Sequence, residues 1–220
     1  MGVATIDSGR PNLLMDHLQL GLRHDPAAGA GTSAAGAAPA AAGEPHFYLS
    51  LYVIPWSREM GSGHVALLRH RTAGGAVSDM TLTDNPSLGR AQQAVLRAAG
   101  YARVDLTSEP RPATFVRSPL REQERVRYLI SAVGVDIEAR WDELGEAIFA
   151  YGPAPARPDS QRIWSMLFEA GRGSASLNGT DITGEPYGLD SWIPWLGRSL
   201  NSAHVARGEI LVDDAGDAPG

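Results

Sequence analysis

Two short segments hold the residues best suited to chemistry. Gly63-His64-Val65-Ala66-Leu67 places a histidine at the start of an apolar run, and Asn201-Ser202-Ala203-His204-Val205 places a hydroxyl beside a good helix-capping residue. Asn201 as a cap would put Ser202 in the first turn of a helix. Free N–H groups and the positive end of the helix dipole there favour an oxyanion. A hydroxyl so placed, facing a histidine on a strand, suits acyl transfer, with His64 taking the proton and Ser202 attacking. Asp79 on the following strand, or His70, would orient His64. The simpler reading of Asn201 and Ser202 is a helix cap without chemistry, since helix starts generally show such residues.

Other chemistries are excluded or disfavoured. His64 and His70 share a strand face, but six residues span about 20 Å, too far for one metal ion. The chain has no Cys, which removes disulfides, thiolate metal sites and a Cys nucleophile. All 19 basic residues are Arg, so there is neither a Walker A lysine nor a lysine Schiff base. No HExxH, GxSxG or strand-associated GxGxxG is present. No cofactor and no metal is therefore expected. Exclusive use of Arg, with abundant Ala, Gly and Pro, reflects a GC-rich genome of bacterial type. A net charge of −6 without a basic run argues against nucleic acid. No apolar run of about 18 residues is present, so no membrane span is expected. The N-terminus lacks a basic region followed by an apolar one, which implies a cytoplasmic protein or export without a classical signal peptide.

The positioning elements follow from periodicity. With 220 residues, 43% of them hydrophobic, the chain can bury an ordinary core. Residues 1–44 are expected to be a disordered tail, with one short amphipathic stretch at 13–22 and an Ala/Gly linker at 27–43. Residues 45–212 form one globular domain, and 213–220 an acidic flexible tail. Alternation predicts strands at 46–54, 64–70 and 76–83, joined as an antiparallel meander. Asp84-Asn85-Pro86 starts a helix that Gly100 ends. Short strands are expected at 101–106 and 113–117. Val126, Leu129, Ile130 and Val133 make an i, i+3, i+4, i+7 stripe, which predicts a helix over 118–133. Two more helices are predicted at 137–149 and 159–171, a long loop at 171–190 with a tight turn at Asn178-Gly179, and a last helix from Asn201. The expected fold class is α+β: an antiparallel sheet packed with several helices.

The order of a strand carrying His64, then helices, then Asn201-Ser202-Ala203-His204-Val205 resembles the circularly permuted papain-like superfamily. Its members include NlpC/P60-related hydrolases, the lecithin–retinol acyltransferase group and PPPDE-type peptidases. The resemblance covers roughly residues 46–83 and 115–212, and departs from the family in having Ser202 where a Cys is usual. It implies a hydrolase or acyltransferase acting on an amide or ester, with His64 as base, Ser202 as nucleophile and Asn201 in support, or a relative that has lost catalysis. The alternative function is a non-catalytic module that binds a peptide, glycan or protein through a cleft and the Trp192/Trp195 segment. The partner is then an unknown peptide, ester or protein.

Overall fold

A period of two, not the helical period, governs the second half of the chain. The computed structural model describes residues 9–24, 45–118, 125–153 and 161–213. Over the expected helix at 118–133 runs a strand, Arg125–Ala132, in which Val126, Tyr128 and Ile130 point inward and are buried. Val135–Leu144 repeats the pattern with Val135, Ile137, Ala139 and Trp141. The misreading has a simple cause. A spacing of four, as in Val126/Ile130 and Ile137/Trp141, fits a strand face as well as a helix face. Tyr128 and Ala139 fill the intervening inward positions and decide for the strand.

In chain order the first elements are β1 (Gly9–Leu22), β2 (Phe47–Ser57), β3 (Gly63–Arg71), β4 (Val77–Thr83), α1 (Pro86–Ala98) and β5 (Arg111–Arg117). Then follow β6 (Arg125–Ala132), β7 (Val135–Leu144), β8 (Ile148–Pro153), β9 (Gln161–Leu177) and β10 (Thr180–Ile182). The last are β11 (Gly188–Leu189), a 3₁₀ turn (Asp190–Trp192), α2 (Ile193–Leu196), β12 (Leu200–Asn201) and β13 (His204–Asp213). The protein is thus nearly all β, with α1 and α2 its α-helices among the described residues. The expected α+β architecture with several helices is incorrect, as are the strand at 101–106 and the helix from Asn201. β2, β3, β4, β5 and α1 lie where alternation and capping place them, and Asn85 accepts from the Leu88 N–H at the start of α1.

One 11-stranded sheet contains most of the chain. Strands β1 to β7 follow one another, all antiparallel except β4 and β5, which run parallel across the α1 crossover. The 17-residue β9 closes the circuit. Its first half pairs with β13, and its second half with β7. β13 pairs with β1, so the sheet meets itself as a barrel without open edges along that path.

Residues 9–22, expected in the flexible tail, form β1, seated between β2 and β13. Leu18, Leu20 and Leu22 point into the barrel and are almost fully buried, which compensates the entropy of ordering this segment. The expected Ala/Gly linker at 27–43 lies outside the described residues, as does 214–220 of the expected acidic tail. Inside the barrel those leucines pack with Leu49, Leu51, Ala66, Leu68, Ile130, Ile137 and Trp141. The outer face of β1–β3 is covered on one side by α1 and residues 101–106, through Leu88, Val104 and Leu106. On the other side Trp192, Trp195 and Leu196 cover Ala150, Leu167 and Ala206. Among the described residues no helix is long and apolar enough to cross a membrane.

Trp141 ties opposite walls of the barrel together. It has no exposed surface, and its indole N–H donates to the Gln19 carbonyl at 2.7 Å. Trp141→Ala is expected to cost about 3–5 kcal/mol, as large aromatic truncations in packed cores do. A urea midpoint within error of the wild type would contradict that role.

Candidate functional site

Between the two covers, the outer face of the sheet lines a cavity. Alternation brings Gln19, Gly21 and Arg23 of the β1 segment to this face. Gly21 lies opposite Tyr48, and Tyr48 opposite Arg69. Arg71 follows two residues on. One cover contributes Ala102 and Arg103, and the other Tyr187 to Ser191. The cavity has a volume of about 460 Å³.

Tyr187 is held over the floor by Ser202. The Ser202 hydroxyl donates to the Gly21 carbonyl at 2.8 Å and accepts from the Tyr187 N–H at 2.8 Å. The Ser202 N–H donates to the Tyr187 carbonyl at 2.7 Å. The phenol ring then lies directly on Gly21, where an added Cβ would sit 2.8 Å from its hydroxyl. Glycine is needed there for close approach.

The cavity is cationic in an acidic chain. Arg23, Arg69, Arg71 and Arg103 line it, with Asp190 the only acidic residue in the lining. Arg69 makes a two-pronged ion pair with Asp79, at 2.8 and 2.6 Å. That pairing holds the Asp79 carboxyl below its usual range, and the Asp105 N–H adds to the effect. Arg23 lies 3.7 Å from the centroid of the Tyr187 ring, and Arg103 5.5 Å from that of Tyr48. Among the described residues neither guanidinium has a carboxylate partner. The Arg23 Nε is buried with no hydrogen-bond partner. Burial raises the pKa values of Tyr48 and Tyr187, so both phenols stay protonated.

Behind the cavity floor the same face is polar and buried. Gln19 faces His204 on one side and Ser50 on the other. The Tyr101 hydroxyl donates to Tyr48 at 2.7 Å, and Tyr48 in turn to the Gln19 Oε1 at 3.2 Å. His204 donates from Nδ1 to the Asn201 carbonyl at 2.7 Å. His17 Nε2 meets the Ser50 hydroxyl at 2.8 Å, and its ring is edge-on to His204 at 5.8 Å. Desolvation lowers the His204 pKa to about 4, and that of His17 to about 3 with help from His204. Both rings are neutral near pH 7.

The residues expected to act together do not meet. The His64 Nδ1 binds the Asp84 carboxylate at 2.7 Å, and its ring stacks on Phe115. Asp84, not Asp79 or His70, orients it. Ser202 has no exposed surface and starts no helix. It sits at a bend between β12 and β13, where the Asn201 Oδ1 accepts from the Ala203 N–H. Gly21, which Ser202 holds, is level with Arg69, and Arg69 is five residues from His64 along β3, roughly 17 Å. His64 also faces the barrel interior with Ala66 and Leu68, away from the cavity. A nearly all-β barrel with a buried serine has neither the helix nor the accessible nucleophile of the permuted papain-like superfamily. That resemblance and the hydrolase or acyltransferase it implied are set aside. The α+β binding module lapses with its fold, and Trp192 and Trp195 pack as cover on the sheet.

Sequence reasoning missed Arg23, Tyr48, Arg103 and Tyr187. Arg69 lies on the predicted strand at 64–70 and Arg71 just past its end, and neither stood out as part of a site in the sequence.

No known protein-family description matches this sequence, and no curated protein matches it. Among solved structures, an acetoacetate decarboxylase from Legionella pneumophila aligns over 93% of this chain and 86% of its own. Its identity is 10% and the TM-score 0.37, a likeness too low to carry an argument about fold or activity.

Two outcomes follow for the buried groups. Ser202→Ala leaves the Tyr187 N–H unpaired and is expected to cost about 1–3 kcal/mol in urea unfolding. The wild type should not react with a fluorophosphonate probe, and stoichiometric labelling at Ser202 would contradict its burial. Unfolding returns His204 to its ordinary value of 6.5, so in acid the unfolded chain binds a proton that the folded chain refuses. This stability is complete above pH 6.5 and is lost as the pH falls toward 4, by about 1.4 kcal/mol per pH unit. His204→Gln should reduce that slope by about 1.4 kcal/mol per pH unit while the buried His17 keeps its own contribution, and an unchanged slope would exclude His204 as a source.

Proposed function

We propose that the protein binds a small organic anion, a carboxylate or phosphate ester, in the cavity between residues 101–106 and 187–191. The observation that carries this reading is the pair Arg23 and Arg103. Both line the cavity without a carboxylate partner among the described residues, and the Arg23 Nε is buried and unpaired. Holding uncompensated cations in a partly desolvated space is costly, and a bound anion removes that cost through charge-assisted hydrogen bonds. Tyr48 and Tyr187 add broad aromatic surface, which suits a ligand with a planar apolar body. The cavity volume matches a small molecule and not a folded partner.

Isothermal titration calorimetry with phenylacetate and phenyl phosphate tests this reading. At least one should bind saturably, while uncharged phenylacetamide binds at least tenfold more weakly. Arg103→Gln should weaken binding about tenfold or more, the ~1.5–3 kcal/mol of a hydrogen bond to a charged group. Equal binding of the amide, or no binding of either anion, would overturn it.

A further inference from the structure

Two unpaired polar atoms behind the cavity floor specify more about the ligand than its charge. The His204 Nδ1 donates to the Asn201 carbonyl, so in the neutral ring that nitrogen carries the proton and Nε2 presents a lone pair. This Nε2 is buried with no hydrogen-bond donor. Across the β1–β13 ladder, Gln19 uses its Oε1 to accept from Tyr48, which leaves its Nε2 as a donor, buried and also unpaired. Gln19 and His204 are directly opposite in register, and such pairs have Cβ atoms about 4.5–5.5 Å apart. Two neighbouring strands thus carry, at opposed positions, a buried unused donor and a buried unused acceptor.

The chemical group that satisfies both is a hydroxyl, which accepts from one and donates to the other. A carboxylate offers no hydrogen to the His204 nitrogen, and an amine does not pair well with the Gln19 N–H. The pair adjoins the anion site. Tyr48 lines the cavity and binds Gln19, while Arg103 lines it and acts electrostatically on Tyr48, Tyr187 and His204. Along β1, Gln19 is four residues from Arg23, roughly 13 Å, and the Arg23 guanidinium lies over the Tyr187 ring that rests on Gly21.

We propose that the ligand is a hydroxylated organic anion, its hydroxyl received between Gln19 Nε2 and His204 Nε2 and its charge by Arg23 and Arg103. This rests on the anion-binding reading above and names the substrate class of the same site. His204 and Gln19 are specificity-determining residues here. No bond is made or broken in this step.

The test compares 4-hydroxyphenylacetate with phenylacetate by calorimetry on the full-length protein, wild type and two variants. The hydroxylated acid should bind at least tenfold more tightly. In Gln19→Met and in His204→Phe that preference should fall to less than threefold. Native circular dichroism and a cooperative melt establish that each variant is folded, and His204→Leu or Gln19→Leu replaces whichever variant is not. Equal affinities of the wild type for the two acids overturn this proposal and leave the anion site standing, the buried pair then serving an internal water. Binding of neither acid overturns this proposal, and the anion reading falls with it if phenyl phosphate also fails to bind.

Discussion

The seat of β1 between β2 and β13 is the constraint on which the rest of the molecule depends. This one strand completes the barrel path, carrying Leu18, Leu20 and Leu22 inward and Gln19 and Gly21 outward. Without it β2 and β13 would each expose an unpaired edge, and the circuit that β9 closes elsewhere would stand open. Its contacts are all distant in sequence. The Gln19 carbonyl receives the Trp141 indole, and the Gly21 carbonyl receives the Ser202 hydroxyl. β1 is thus held wholly by contacts distant in sequence, the kind that make folding slow.

The cavity follows from that seat. Alternation along β1 turns Gly21 and Gln19 to the outer face, and Ser202 holds Tyr187 upon Gly21. The second cover, residues 101–106, brings Arg103 to the other side. A chain with net charge −6 thereby gathers four guanidiniums around one space, two of them with no carboxylate partner among the described residues. Ser202 has a structural part in this arrangement: it fixes Tyr187, one wall of the cavity, upon Gly21.

Local signals were read where neighbours in sequence are neighbours in space. The β2–β3–β4 meander and the capped α1 are of this kind, and Asn178-Gly179 turns β9 into β10 with positive φ at both residues. The later strands were misread because i, i+4 spacing is common to both periods, and only register with distant partners decides between them. β1 was misread because its flanking residues have tail-like composition while its partner strands begin at 47 and 204. The side chain of Asn201 does bind a nearby N–H, as a cap would, but in a bend and not in the predicted helix. The site was harder still. Arg69 and Arg71 come to the cavity face by strand alternation, but Arg103 and Tyr187 lie on irregular covering segments whose position only the assembled barrel determines.

The arginine side chains offer the most direct reading of the central claim. In a titration with 4-hydroxyphenylacetate followed by side-chain ¹⁵Nε–¹Hε NMR, the resonances of Arg23 and Arg103 should shift together and saturate. Those of Arg90 and Arg198, paired with Glu109 and Glu169, should stay in place. Shifts spread evenly over all arginines, or none at Arg23 and Arg103, would contradict an anion site in this cavity.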